Sequence, residues 1–227
     1  MLFLILGLLF LGALFGPQWW AKHTLKRHSK PRPDFPGSGG QLARHLLKKY
    51  GLEHVKVEAT PLGDHYDPTT KVVRLAPAHF DGQSLTAVAV AAHEVGHAIQ
   101  DHSGYRPLAW RSRLIVLSQQ AERIGSGLMM LLPIVAAVTR SPGASAATFA
   151  LGLATMAVAT VIHLVTLPVE LDASFGRALP ILVQGKYIDE RDEKAARSVL
   201  RACALTYVAA SLASLLSLWR WLRLWRR

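Results

Sequence analysis

Apolar residues are not spread evenly along this chain. They gather into runs at 1–20, Gly125 to Val138, Ala146 to Pro168 and Ala202 to Leu222. A run of about 20 apolar residues is long enough to cross a bilayer as a helix, and lipid offers the backbone no hydrogen-bond partner but itself. The first, third and fourth runs meet that length, and the second is short for a full crossing. With 51% hydrophobic residues in 227, the expected fold class is a mainly α membrane protein with a small β-sheet and about four hydrophobic membrane segments.

Charge supports this reading. The net charge is +11, and the basic residues flank the apolar runs: Lys22, Lys26, Arg27, Lys30 and Arg32 follow the first, and Arg220, Arg223, Arg226 and Arg227 close the last. That placement suits lipid headgroups and topology signals. Nucleic acid is not expected as a partner, because aromatic residues do not alternate with the charges. The basic flank at 21–32 puts the following segment on the cytoplasmic side of a bacterial-type plasma membrane, as part of a multi-pass protein. Carried through four crossings, the basic C-terminus falls on the outer side, against the rule. The first run lacks the basic start and small-residue cleavage site of a signal peptide, so it reads as an uncleaved anchor. Cys203 is the only cysteine, which excludes an intramolecular disulfide and a cysteine zinc knuckle.

Between the runs lies polar, foldable sequence. Residues 21–40 read as a basic linker rich in Pro and Gly. Leu42, Leu46, Leu47 and Tyr50 recur at helical spacing, with Gly51 as a stop. Val55 to Glu58 and Lys71 to Leu75 read as strands. Pro61–Asp64 and Tyr66–Thr70 read as turns between them. A helix is expected from Ser84 to about His102, capped by Ser84 and ended near Gly104. Another is expected from Pro107 to Ile124. The resulting division is an anchor (1–20), a basic linker (21–40), a metallopeptidase domain with a small sheet (41–124), a membrane hairpin (125–168), a polar loop and helix (169–201) and a C-terminal membrane segment (202–227).

The chemistry lies in Ala92-His93-Glu94-Val95-Gly96-His97-Ala98. Residues four apart on a helix share one face, so His93 and His97 can present ring nitrogens to a single Zn2+. Glu94, one step round, is placed to activate a zinc-bound water. A catalytic zinc also needs a third protein ligand and an open position. Glu170 stands out for that role, because a carboxylate at the end of a long apolar run is costly unless it meets protein, water or metal. Asp172 is either the ligand itself or the partner of a ligand histidine. His163, inside the same run, reads as a core histidine or as a metal or oxyanion group. His65 and Tyr66 could border the cleft and polarise a carbonyl. The Val55–Leu75 sheet is expected to offer an exposed edge, to which a peptide substrate could add as a strand over the metal.

Two longer strings, His93-Glu94-Val95-Gly96-His97-Ala98-Ile99-Gln100 and Leu167-Pro168-Val169-Glu170-Leu171-Asp172-Ala173-Ser174, carry a resemblance. So do Asp64-His65-Tyr66-Asp67-Pro68, Gly104-Tyr105 and Ala204-Leu205-Thr206-Tyr207. In these the chain resembles the YugP-type membrane-bound neutral zinc metallopeptidases, over nearly its whole length. The resemblance implies a zincin-like, Glu-liganded site with His93, His97 and Glu170 on Zn2+ and Glu94 as the catalytic carboxylate. Relatives often carry Glu and Asp four apart, whereas here Asp172 follows Glu170 by two. The expected activity is a membrane-anchored zinc endopeptidase acting on a peptide or membrane-protein substrate at the lipid bilayer. The alternatives are an intramembrane protease or a non-enzymatic membrane adaptor with a structural metal site.

Overall fold

The computed structural model describes residues 2–205, leaving out the side chains of 2–11, 13–15, 156, 157, 159, 160, 163 and 164. The chain is mainly helical. Helices α1 (Leu2–Arg27), α2 (Gly39–Lys49), α3 (Pro77–Phe80), α4 (Leu85–His102), α5 (Arg106–Thr139) and α6 (Pro142–Leu171) are followed by a π-helical segment, Asp172–Ala178. Then come α7 (Leu179–Gln184) and a further helix, α8, over 190–205. Three short strands, β1 (Lys56–Ala59), β2 (His65–Asp67) and β3 (Val72–Leu75), form the sheet. Two compact units divide the chain.

One unit comprises, among the described residues, 19–109 and 168–205. Its centre is α4, buried from Leu85 to Ala98 and again at Gln100. A helix that is apolar nearly all round can exist in water only if protein encloses it. Around α4 pack α2, α3, the sheet, the π segment and α7. Ser84 caps α4 by accepting the Ala87 amide at 3.2 Å. Ser38 and Gln41 form a reciprocal capping box at the start of α2. Leu46, Leu47, Leu75, Val95, Leu182 and Val199 fill the core, along with the buried Cys203.

The sheet departs from expectation. Residues His65–Asp67 form a strand where a turn was predicted, and the turn starts later. The Asp67 carboxylate accepts the Thr69 and Thr70 amides and the Thr70 hydroxyl, so the chain reverses over 67–70 and frees 65–67 to pair. The strand order is β1-β3-β2, with β3 parallel to β1 and antiparallel to β2. The strand at Lys71 to Leu75 is therefore central, paired on both sides, and the free edges belong to β1 and β2.

Residues 21–40, read from the sequence as a basic linker, are ordered by contacts. Helix α1 continues to Arg27, and the loop beyond it is tied down. Phe35 is buried, the Arg32 amide donates to the Gln83 carbonyl at 2.8 Å, and the Gln83 side-chain amide donates to the Phe35 carbonyl. The Arg32 guanidinium forks onto both oxygens of Asp192 at 2.8 and 2.9 Å and also binds Asp34.

Among the described residues, the other unit comprises 2–18 and 110–167. The predicted helix at 107–124 and the short apolar run at 125–138 are one continuous 34-residue helix, α5. Arg140, in the left-handed region at φ 49°, turns the chain into α6, and Met129 packs where Gly152 leaves no Cβ. Of the four membrane segments expected, α5 alone among the described residues is long and apolar enough to cross a bilayer. It exposes Val116, Leu117, Ile124, Met130 and Ile134. Most of the fourth predicted segment lies outside the described residues.

Candidate metal centre

His93 and His97 lie one turn apart on α4, their rings 4.8 Å apart and inclined at 76°. Opposite them, the last turn of α6 delivers Glu170, with 0% exposure. One carboxylate oxygen, Oε2, sits 3.4 Å from His93 Nε2 and 3.3 Å from His97 Nε2. One donor atom from each of the three residues falls within 4.8 Å of the others. Gly96 makes this approach possible. A Cβ at that position would lie 2.8 Å from the Ala173 carbonyl oxygen, so the π segment touches α4 where α4 has no side chain.

The far side of each ring has a partner whose chemistry fixes the proton. The Gln100 amide nitrogen donates to the Val169 carbonyl at 2.9 Å and to Asp172 Oδ2 at 2.7 Å. Its oxygen is thus the atom 2.8 Å from His97 Nδ1, and that nitrogen carries the hydrogen. Ser174 spends its one hydroxyl proton on the Leu200 carbonyl at 3.0 Å, so its lone pair faces His93 Nδ1 at 3.0 Å. Both imidazoles therefore donate from Nδ1, and both bare Nε2 atoms point at a carboxylate oxygen.

His93 Nε2, His97 Nε2 and the Glu170 carboxylate thus meet in a buried space. Two neutral imidazoles and one carboxylate are a donor set that zinc takes, with hydrogen-bonded partners behind the ligands. The residues present fit the metal.

Glu94 follows His93 on α4 and is buried at 5% exposure. Asp172 stands behind the site. Its carboxylate accepts from Gln100 and from Arg177 Nε at 2.9 Å, so it reaches His97 only through Gln100. His65 and Tyr66 have partners elsewhere. The His65 ring lies 2.9 Å from the Gly63 carbonyl. The Tyr66 hydroxyl donates to Asp101 at 2.6 Å; burial, then that bond, pushes the phenol well above its ordinary pKa. Asp101 is also paired with Lys71 at 2.5 Å. His163 falls within α6, and its side chain lies outside the described residues.

Sequence reasoning missed Gln100, Ser174 and Arg177. The signal for two of them was spacing, since Gln100 follows His97 by three and Ser174 follows Glu170 by four.

The profile of a family described as "Putative neutral zinc metallopeptidase" matches residues 2–226. "Putative membrane protease YugP" of Bacillus subtilis (strain 168) is 38% identical over 222 residues, which cover 97% of this chain and 95% of that protein. No solved structure matches.

Proposed function

This chain belongs to the neutral zinc metallopeptidase family, and from that premise we propose that it is a membrane-anchored zinc endopeptidase. The observation that carries the reading is the convergence of one ring nitrogen each from His93 and His97 and the buried Glu170 carboxylate within 4.8 Å of one another. His93, His97 and Glu170 would hold the metal. Zinc, when bound there, supplies Lewis acidity that acidifies water and polarises a substrate carbonyl.

The chain's own residues do the rest. Glu94 takes the proton from the attacking water as its oxygen bonds to the peptide carbonyl carbon. It returns that proton to the amine as the C–N bond breaks. Ser174 and Gln100 hold the two rings so that Nε2 stays free of hydrogen.

The exposed apolar surface of α5 and the naming of the Bacillus relative as a membrane protease support a membrane location. We place the catalytic unit on the cytoplasmic face of a multi-pass protein, on the strength of the basic flank that follows the first apolar run. Helix α4 is enclosed by protein elements. This favours action on peptides or membrane-proximal segments over cleavage within the lipid.

The test uses the full chain in detergent micelles with a quenched fluorescent peptide and a zinc assay. Wild type should cleave only when zinc is present. Glu94→Gln should keep one zinc per chain and lose cleavage by about 10²-fold or more. Cleavage by Glu94→Gln at the wild-type rate would remove Glu94 from its role. A zinc-loaded wild type inert toward peptides and membrane-protein substrates alike would favour the adaptor reading.

A further inference from the structure

We propose that Gln100, Asp172 and Arg177 form a positioning relay that holds His97 as its Nδ1–H tautomer and aims its Nε2 at the metal point. The proposal rests on the metal reading above.

Gln100 is fully buried, and its amide is used at both ends. The oxygen accepts from His97 Nδ1, while the nitrogen donates to the Val169 carbonyl and to Asp172. An amide can flip, and a flipped Gln100 would present NH2 to His97 and drive the hydrogen to Nε2, where the metal must bind. Asp172 opposes that flip because a carboxylate only accepts. Val169, whose carbonyl takes the other amide hydrogen, stands next to Glu170. The relay thereby couples the direction of His97 to the backbone that carries the third ligand.

The outer end of the relay is Arg177. Its Nε donates to the same Asp172 oxygen at 2.9 Å, and its guanidinium lies 5.7 Å from the Tyr105 ring centre. Asp172 is partly exposed, 31% at the side chain, and without a cation beside it water could draw it outward. The π-helical segment explains why the pair forms. Residues five apart in an α-helix sit about 140° apart around the axis. The i to i+5 bonding of a π-helix brings them toward one face, a device frequent at functional sites. Gly176 completes the arrangement, because a Cβ there would stand 2.6 Å from Asp172 Oδ1. A π segment, a glycine that clears Oδ1 and an arginine that holds Oδ2 therefore all serve one carboxylate, whose Oδ2 also accepts from the Gln100 amide.

His93 provides an internal control, since its Nδ1 rests on Ser174 and not on this relay. The experiment uses the full chain in detergent micelles with 15N-labelled histidine, zinc removed by chelation, and His93 and His97 assigned by replacing each in turn. Wild type should show both rings as the Nδ1–H tautomer. Gln100→Leu should turn His97 into a mixture of tautomers and leave His93 unchanged. Asp172→Asn and Arg177→Met should move His97 the same way to a smaller extent, and Arg177→Lys should restore it. Zinc affinity, read by competition with a chromophoric chelator, should fall about 10- to 100-fold in Gln100→Leu.

A His97 tautomer unchanged in Gln100→Leu, or unchanged in both Asp172→Asn and Arg177→Met, overturns the relay. If Gln100→Leu fails to fold, the two partly exposed variants decide. The two readings fail separately. A wild type that takes up no zinc while His97 responds as described defeats the metal site and leaves the relay standing. Tight zinc binding with an indifferent His97 does the reverse.

Discussion

Replacing Gly96 by alanine should separate metal binding from folding stability. The added Cβ would meet the Ala173 carbonyl oxygen at 2.8 Å, with the Ala173 carbonyl carbon at 3.4 Å and Cα at 3.5 Å. The blocking atom is backbone, so relief requires α4 and the π segment to part by roughly 0.6 Å to regain ordinary contact. Overpacking of this kind costs about 1–3 kcal/mol. Alanine in a helix interior returns about 1 kcal/mol relative to glycine, so the net loss of stability should be at most about 2 kcal/mol. The site is less forgiving. Two of its ligands ride on α4, and the third stands three residues before Ala173. Functional constellations tolerate about 0.5 Å of displacement, and the expected movement exceeds that. Zinc affinity of Gly96→Ala, measured by chelator competition, should therefore drop at least about tenfold. Thermal unfolding of the zinc-free protein, followed by circular dichroism, should shift by only a few degrees. Wild-type zinc affinity in Gly96→Ala would refute the claim that this close approach sets the ligand geometry.

Other variants probe other parts of the account. Ser174→Ala removes the acceptor behind His93 and should weaken zinc binding about tenfold, with little change in far-ultraviolet circular dichroism. Leu75→Ala empties a fully buried position in the central strand and should cost about 2–5 kcal/mol in denaturant unfolding. The Arg32 guanidinium holds the Asp34 carboxyl down to about 2. A lowered folded-state value stabilises the fold above the unfolded carboxylate pKa of about 4, and the benefit is lost as pH falls toward 2. The difference in melting temperature between wild type and Asp34→Asn should thus be present at neutral pH, shrink below about pH 4 and vanish only below about pH 2. A difference that stays at its neutral-pH size at pH 2 would mean that Asp34 acts through something other than its charge.

The parts of the fold legible in the sequence were those with a strong period or a strong stop. Ser84 and the unbroken apolar face after it announced α4, and the repeat of Leu42, Leu46 and Leu47 announced α2. The pair His93 and His97 required only helical geometry to share a face. Glu170 was visible because a carboxylate ending an apolar run needs a reason to be there. What escaped depended on tertiary partners. The three residues of β2 carry no alternation long enough to detect, and β3 pairs them because Asp67 moves the turn. Arg32 and Phe35 looked like linker residues until Asp192 and Gln83, distant in sequence, supplied their partners. The π-helical register after Leu171 has no sequence period of its own. Without it the link from Arg177 to Asp172 to Gln100 could not be drawn, and Asp172 was read as touching the metal or a ligand histidine directly.

The most direct test is anomalous diffraction at the zinc absorption edge from crystals of the full chain grown with zinc. The account predicts one strong peak per chain, within bonding distance of His93 Nε2, His97 Nε2 and a Glu170 carboxylate oxygen, and no such peak in Glu170→Ala. A zinc-replete crystal with no peak between these three side chains would contradict it, as would a peak that survives unchanged in Glu170→Ala.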